Sequence, residues 1–391
     1  MSGPLGPGAG ATAQGVGLAR RRRRRWGRGG AGAVAALLVG TGVAGWMVYM
    51  KLDGNITPDE AAAAELARYA KERPTALVKG ARNILLIGSD SRSGDGNRKY
   101  GRDSGTERSD TTILLHLAAG RRSATAVSLP RDLMVDVPSC RRPGGKQTEP
   151  MFAMFNYAFQ TGGSACTIRT VEKLTGIRID HHVVVDFSGF KEMVDAVDGV
   201  EVCLKEPIRD KDARLRLPAG RVTLDGEQAL GYVRVRKSLG NGSDTDRMER
   251  QQRFLGALVN KVQSDDVLLN PVKLYPVLDA ATSSLTTDPD LASLRGLYQL
   301  VRGLRDIPTE RVQFLTVPRE SYTYNANRDQ LVEPEAEKLF ELLRKDAPVN
   351  VSRAASPNSG SAQSYGYGAY GSPTPSPPVF RGNTAAEDSC T

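Results

Sequence analysis

Arginine and aspartate side chains recur where short apolar stretches of this chain begin or end. Several arginines beside two or three carboxylates suit a pyrophosphate and a Mg²⁺ ion. Guanidinium groups bind phosphate oxygens in pairs, and carboxylates bind hard cations. The alternative for any one cluster is a set of surface salt bridges, which contribute little stability. Because there are four such clusters, we favour phosphate binding; they are Gly88–Arg92, Arg108–Thr111, Leu129–Asp132 and the stretch from Tyr232 to Gln251.

The fourth cluster combines arginines on both sides of a Gly/Ser/Asp-rich loop. Arg234 and Arg236 are two residues apart, so in an extended stretch both point to the same face. Arg247 follows the loop at a predicted helix N-terminus, where backbone N–H groups also favour an anion. The segment 244–246 reads Asp-Thr-Asp, which is also the form of a glycosyltransferase DxD metal site.

Other catalytic motifs are missing from the sequence, which contains no GxxxxGK[ST], GxGxxG, HExxH or GxSxG pattern. Only three histidines occur. His116 lies in an apolar run and is expected to be structural. His181 and His182 are adjacent in a predicted strand, so their side chains point to opposite faces and cannot easily bind one metal.

The elements that position the clusters alternate along the chain. Apolar and β-branched runs predict strands, and an apolar stripe of helical period predicts helices. Segment 230–235 fits neither pattern. The alternation predicts one α/β or α+β domain over residues 80–346 with helices on both faces of a central sheet. The predicted strands are 83–88, 111–117, 124–129, 181–187, 199–204 and 312–317, and the helices are 165–174, 190–197, 248–262, 271–280, 289–305 and 334–344.

The amino-terminal segment predicts a membrane anchor. Residues 1–28, predicted to be a disordered cytoplasmic tail, carry seven arginines and no acidic residue. Without those seven charges the formal net charge of +9 falls to +2, which does not support a nucleic-acid-binding domain. Residues 29–50 are uncharged and long enough to span a bilayer. The arginines mark the cytoplasmic side, so the chain should run N-in and C-out. A cleaved signal peptide is the alternative, but the apolar run is long for one.

Two segments flank the predicted domain. Residues 51–79 are predicted to form an extracytoplasmic helical stalk, capped by Thr57, with Pro58 in its first turn. Residues 347–391 are rich in proline, serine and glycine and are predicted to be disordered.

The four cysteines then lie in an oxidising compartment, where disulfides form. Four cysteines allow three complete pairings, and the sequence does not choose among them. We favour a bond between Cys140 and Cys166, with Cys203 buried and Cys390 free.

Six segments of the chain together carry a family resemblance. They are NILLIGSDSR (83–92), RSDTTILLHL (108–117), AVSLPRDLMVDVPS (126–139), TVEKLTGIRIDHHVVVDFSGFKEMVDAVDGVEV (170–202), LDGEQALGYVRVR (224–236) and DRMERQQRFLGAL (246–258). These motifs resemble the LytR–CpsA–Psr family of cell-envelope phosphotransferases, cover about residues 80–320 and keep the family's order. The resemblance implies an α/β/α sandwich with a central mixed sheet and a hydrophobic groove for a lipid. It also implies an extracytoplasmic enzyme, held at the cell membrane, that transfers a glycopolymer from a polyprenyl-pyrophosphate carrier to a peptidoglycan hydroxyl as a phosphodiester.

The resemblance also assigns roles to single residues. Asp90 and Asp110 match carboxylates associated with Mg²⁺, with Mn²⁺ as the alternative ion. Apart from the resemblance, the position of Asp132 beside Arg131 makes it either a base or a residue that orients Arg131, and we favour orientation. Met154 stands where the family often has a lysine, so that charge is missing. The residues matched to pyrophosphate binding are Arg108, Arg131, Arg234, Arg236, Asp244, Arg247 and Gln251.

Two other functions fit the same residues. Water could replace the acceptor, which would make the protein a polyprenyl-pyrophosphate hydrolase. The arginines could instead bind an anionic wall polymer in a non-catalytic, membrane-anchored envelope regulator. A transcriptional role is disfavoured because residues 1–28 are too short for a DNA-binding module.

Overall fold

The computed structural model describes residues 37–89, 109–142, 144–211, 213–235, 244–263, 271–353 and 378–387. Within them the helices, in chain order, are α1 (37–55), α2 (Glu60–Arg68), α3 (Asn156–Thr175), α4 (Phe187–Ala196), α5 (Gly226–Arg234), α6 (Asp244–Gln263), α7 (Pro271–Ser284), α8 (Leu294–Arg305) and α9 (Glu335–Arg344). The strands are β1 (Thr57–Pro58), β2 (Arg82–Ser89), β3 (Ser109–Leu117), β4 (Ala124–Leu129), β5 (Met134–Val137), β6 (Met151–Met154), β7 (His181–Val185), β8 (Val200–Leu204), β9 (Ile208–Asp210), β10 (Leu215–Leu217), β11 (Gly220–Leu224), β12 (Leu285–Thr287), β13 (Val312–Thr316), β14 (Arg319–Tyr322), β15 (Asn325–Leu331), β16 (Asn350–Ser352) and β17 (Val379–Thr384).

The chain divides into two units, Met1–Lys51 and Leu52–Thr391. Residues 37–51 of the first unit are helical and exposed. No helix in the described part of the chain is long and apolar enough to cross a membrane. Residues 29–36 of the predicted anchor lie outside that part.

A nine-stranded mixed sheet forms the centre of the second unit, in the order β1-β12-β7-β2-β3-β4-β13-β17-β16. Strand β3 runs antiparallel to β4, whereas β13 runs parallel to β4. The beginning of β3 and the ends of β4 and β13 therefore lie together at one end of these central strands, which we call the sheet edge. The chain segments that carry Asp110 and Arg131 meet at this edge.

Alternate residues of the central strands pack on opposite faces of the sheet, as the two-residue period of a strand requires. Leu85 and Ile87 join one buried cluster with residues of α2, α3 and α9. Ile84 joins another with residues of α6 and α8. Helices thus cover both faces, which confirms the predicted mixed α/β fold. A third apolar cluster joins β8 and β11 to α4, α5 and α6 and positions the end of α5.

Cys140 and Cys166 form the disulfide that the sequence analysis favoured. Helix α3 is kinked at Gly162 and Gly163 beside this bond. A Cβ atom at Gly162 would lie 2.9 Å from the carbonyl oxygen of Arg141 and 3.0 Å from the Cβ of Cys166. Only glycine lets the kinked helix approach the bridge this closely. Cys203 is half-buried and also disulfide-bonded, which corrects its expected burial, and Cys390 lies outside the described residues.

Residues 57–68 of the predicted stalk include the expected helix but pack against the domain instead of standing apart from it. Thr57 and Pro58 form a strand that pairs with β12, and the side chain of Asp59, rather than Thr57, caps α2 by accepting from the backbone N–H of Ala62. Ala62 and Leu66 are buried in the core beside the sheet. The alanine-rich composition predicted the helix but not the surface against which it packs.

The predicted disordered tail also needs correction at both ends. Residues 350–352 and 379–384 form β16 and β17, which extend the central sheet beyond β13. The prediction missed these short strands because it rested on the proline, serine and glycine content averaged over 45 residues.

Candidate functional site

Arg131 lies at the sheet edge, directly after β4 and Pro130. Its Nη1 donates to Oδ1 of Asp110 over 2.9 Å, and its Nε donates to Oδ2 of Asp132 over 3.3 Å. The Arg131 side chain is 21% exposed. Burial would lower the pKa of Arg131, but Asp132, Asp110 and Asp244 together raise it. The guanidinium is therefore held in place and permanently charged.

Asp132 is fixed by the neighbouring hairpin of β14 and β15. Its Oδ1 lies 4.0 Å from Nη1 of Arg328, and its backbone oxygen accepts from the N–H of Asp329 over 3.1 Å. A carboxylate between Arg131 and Arg328 is suited to orienting both guanidinium groups. These contacts agree with the orienting role favoured from the sequence.

The same hairpin contributes an arginine that the sequence analysis missed. Arg319 pairs with the carboxylate of Asp329, and its Nη2 donates to Oγ1 of Thr245 over 2.5 Å. Burial raises the pKa of Asp329. Arg319 opposes this change, whereas the charges of Asp244 and Asp132 add to it. Asp329 thus shares one electrostatic environment with the carboxylates of two other segments.

The first turn of α6 completes the charged region. Oδ1 of Asp244 accepts from Nη2 of Arg247 over 2.8 Å, and the Arg247 side chain is only 6% exposed. An acidic residue in the first turn is also favoured by the helix dipole. The other carboxylate oxygen of Asp244, Oδ2, is buried without a hydrogen bond among the described residues.

These contacts define what we call the arginine–aspartate cluster. It alternates four guanidinium groups with four carboxylates, so most of its charge is neutralised within the protein. Such a region can bind a pyrophosphate if the anion displaces carboxylates from the guanidinium groups or bridges the guanidinium groups' remaining donors. The cluster consists of Asp110, Arg131, Asp132, Asp244, Arg247, Arg319, Arg328 and Asp329.

Five of the predicted site residues are therefore brought together: Asp110, Arg131, Asp132, Asp244 and Arg247. Three were missed: Arg319, Arg328 and Asp329. A signal for Arg319 exists in the sequence, because Val-Pro-Arg (317–319) after the last predicted strand repeats Leu-Pro-Arg (129–131) after an earlier one.

Gln251, a predicted site residue, has different surroundings from those expected. Nε2 of Gln251 donates to the carbonyl oxygen of Val233 at the end of α5. The next residue, Gln252, instead donates to Ser128 and Thr316 over 3.1 and 3.0 Å, at the ends of β4 and β13.

Arg234 ends α5, so the extended stretch expected around it is wrong. Its side chain is exposed, with the guanidinium carbon 4.6 Å from the centre of the Phe187 ring. Arg236 lies outside the described residues, as do Asp90 and Arg108. Where the structure is described, no group of three His, Cys, Asp or Glu side chains is arranged to hold a metal ion. Of the two predicted metal ligands, only Asp110 lies in this part, and its side chain is 37% exposed.

A known protein family matches most of this chain. The profile described as LytR_cpsA_psr family matches residues 50–345. The chain belongs to this family. A relative named "Probable cell wall biosynthesis protein LcpB", from Corynebacterium glutamicum, is 40% identical over 210 residues, which cover 52% of this chain and 47% of the relative. The chain thus spans about half the length of this family member.

Two further comparisons cover more of the other chain. "Polyisoprenyl-teichoic acid--peptidoglycan teichoic acid transferase TagT" of Bacillus subtilis is 27% identical over 320 residues, covering 79% of this chain and 92% of the relative. The solved "LytR-Csp2A-Psr enzyme from Actinomyces oris" has a TM-score of 0.54 and 22% identity, covering 69% of this chain and 93% of that chain. This second likeness shows that the family's fold is shared.

Proposed function

We propose that this protein transfers a glycopolymer from a polyprenyl-pyrophosphate carrier to a hydroxyl group of peptidoglycan. The observation that carries the proposal is Arg131, held between Asp110 and Asp132 at an edge where Arg247 and Arg319 also lie. Support for the substrate class comes from the family and from the printed name of the Bacillus subtilis relative.

The reaction is a phosphoryl transfer. The acceptor hydroxyl oxygen attacks the phosphorus next to the glycopolymer, and the bond from that phosphorus to the bridging oxygen breaks. Polyprenyl phosphate leaves with the bonding electron pair, the hydroxyl proton passes to solvent or a base, and a phosphodiester remains. Such a reaction depends mainly on positioning and charge stabilisation. The guanidinium groups supply both, and Asp132 orients Arg131.

We also propose that the site uses Mg²⁺, with Mn²⁺ as the alternative ion and Asp90 and Asp110 as ligands. The donor set fits a hard cation in its chemistry, because Asp110 is a partly exposed carboxylate and Asp244 keeps a buried oxygen without a hydrogen bond in the described part of the site. When bound, the ion would neutralise charge on the pyrophosphate and on the departing phosphate.

We also propose a location for the protein in the cell. Residues 29–50 would anchor the chain in the cell membrane, with the arginine-rich residues 1–28 inside and the domain outside. The partners would then be the lipid-linked glycopolymer, the peptidoglycan and the membrane, and not a nucleic acid. A topology reporter fused after residue 60 should be active only outside the cytoplasm.

The decisive experiment uses the full chain in lipid nanodiscs. It would be incubated with Mg²⁺, a lipid-linked glycan donor and soluble peptidoglycan strands, and the products identified by mass spectrometry. We expect a phosphodiester-linked product and free polyprenyl phosphate. Release of the glycan phosphate without an adduct would identify the hydrolase, and an unchanged donor would favour the non-catalytic regulator.

A further inference from the structure

Three aromatic side chains form a row on the protein surface. The ring centres of Phe152 and Tyr322 are 6.1 Å apart, and those of Tyr322 and Tyr324 are 5.4 Å apart. Phe152 is 55% exposed and Tyr324 is 86% exposed. We call these three residues the aromatic strip. Contiguous exposed aromatic rings, unlike single ones, usually mark a binding surface.

The aromatic strip shares a hairpin with the arginine–aspartate cluster. Tyr322 is the last residue of β14 and follows Ser321, which pairs with Asp329 across the hairpin. Arg319 and Arg328 of the cluster lie in the same two strands, and Tyr324 lies in the turn between them. A glycan chain whose end lies at the cluster can therefore extend along the hairpin to the strip.

The surroundings of the aromatic strip are polar. Asn325 and Asn327 are exposed at the hairpin turn, and Gln330 donates to Glu320 over 2.8 Å. An aromatic face flanked by amide and carboxylate groups suits a ligand with alternating apolar and hydroxylated surfaces. A pyranose ring is such a ligand, because its C–H face stacks on the electron-rich face of an aromatic ring while its hydroxyl groups remain free to hydrogen-bond.

We infer that the aromatic strip binds sugar rings of a glycan chain whose reacting end lies at the arginine–aspartate cluster. This inference rests on the proposed function and adds where that reaction's carbohydrate lies. A polyprenyl chain fits the strip less well, because an apolar chain gains most where it is removed from water, and Tyr324 is almost fully exposed. The occupant is the acceptor glycan, because peptidoglycan strands are built of pyranose rings; the donor glycan is the other outcome of the test.

The test uses the full chain in nanodiscs with Phe152→Ala, Tyr322→Ala and Tyr324→Ala. Tyr298→Ala is the matched control, because Tyr298 is 62% exposed on α8, which contributes no residue to the strip or the cluster. Loss of a stacked ring should raise the KM for peptidoglycan strands about threefold to tenfold. A higher KM for peptidoglycan strands supports the acceptor glycan on the strip, whereas a higher KM for the lipid-linked donor alone would overturn that assignment. Tyr324→Trp should retain affinity, and Tyr324→Leu should not.

Binding measured without turnover separates this inference from the proposed function. Saturation-transfer NMR with soluble peptidoglycan strands should show contacts that weaken in the strip variants and not in Tyr298→Ala; glycan released from the donor is the comparison ligand. If the wild type binds glycan in this way but transfers nothing, the inference stands and the proposed function fails. Unchanged kinetics and binding in all three alanine variants, or full affinity in Tyr324→Leu, would overturn the inference.

Discussion

Arg131 and Arg319 occupy equivalent positions after two neighbouring parallel strands. Ser128 of β4 pairs with Thr316 of β13, and each arginine lies three residues after the paired residue, directly after a proline. Each is paired with a carboxylate from another element, Asp110 for Arg131 and Asp329 for Arg319. The two arginines thus follow from adjacent strands, an arrangement suited to the two phosphate groups of a pyrophosphate.

The first prediction concerns these two arginines. Arg131→Lys and Arg319→Lys should each lower the transfer rate about tenfold to a hundredfold, the loss expected when a charge-assisted phosphate contact worth about 1.5–3 kcal/mol is removed. Lysine keeps the charge, but a single ammonium group cannot bridge two partners as the guanidinium fork does. The measurement is the steady-state transfer rate at saturating donor.

Arg68→Lys provides the control, because Arg68 is 53% exposed and forms only a surface pair with Glu65 at 3.7 Å. It should leave the rate unchanged. If Arg131→Lys and Arg319→Lys fold normally and also keep the wild-type rate, the cluster is a set of structural salt bridges and the phosphate-binding role is wrong.

The second prediction separates a metal ligand from an orienting residue. Asp110→Asn should raise the Mg²⁺ concentration needed for half-maximal rate, because an amide binds the ion more weakly than a carboxylate does. Asp132→Asn should lower the maximal rate without moving the Mg²⁺ dependence, since Asp132 contacts Arg131 and Arg328. A Mg²⁺ titration of both variants makes the comparison. Equal shifts, or none in Asp110→Asn, would contradict Asp110 as a ligand.

Sequence patterns predicted the strands on which the site depends because buried strands have a strong apolar signature. The runs at 83–88, 111–117 and 124–129 became β2, β3 and β4, and Asp110 and Arg131, which lie beside the last two, met at one edge. Arg131 was found because it follows such a run. Arg319 also follows one, but its partner Asp329 lies in a polar hairpin without an apolar signature, so the pair was missed.

Other features could not be read from local pattern because tertiary packing decides them. Segment 230–235 fits neither period, yet 226–234 is helical, since Asp225 and Gln228 form a capping box and Ala229 and Leu230 are buried. The same uncertainty explains the wrong orientation expected for Arg234. Gln252, rather than Gln251, faces β4 and β13 because the rotation of α6 is set by its buried Phe254 and Met248.

The third prediction concerns the disulfide between Cys140 and Cys166, which are 26 residues apart. Replacing both cysteines with serine should lower the free energy of unfolding by about 3 kcal/mol, because the bond restricts the unfolded chain. Urea unfolding of the wild type and the double variant gives the difference. Substitution is preferable to a reducing agent, which would also reduce the disulfide of Cys203. An unchanged unfolding midpoint would show that the bond does not stabilise the fold.

The last prediction follows from the ion pair between His181 and Asp288, whose Nδ1 and Oδ1 atoms are 3.1 Å apart. The hydrogen bond to Asp288 raises the pKa of His181; burial opposes this change, and the charges of Asp288 and Asp180 add to it. A folded-state pKa above the unfolded value means that the stabilisation is fully present below about pH 6.5 and is lost as the pH rises through the folded pKa. The wild type should therefore lose this part of its stability on going from about pH 6 to about pH 8.5.

His181→Asn isolates this effect, because the asparagine amide can still donate to Asp288 but does not titrate. Its free energy of unfolding should depend less on pH across that range than the wild-type value does, as measured by urea unfolding at several pH values. His116 remains in both proteins as an internal reference with the opposite sign. Burial lowers the pKa of His116, although Asp346 opposes this, so its contribution is lost as the pH falls. Subtracting the two pH profiles cancels that contribution, and a flat difference would show that the pair between His181 and Asp288 does not stabilise the fold.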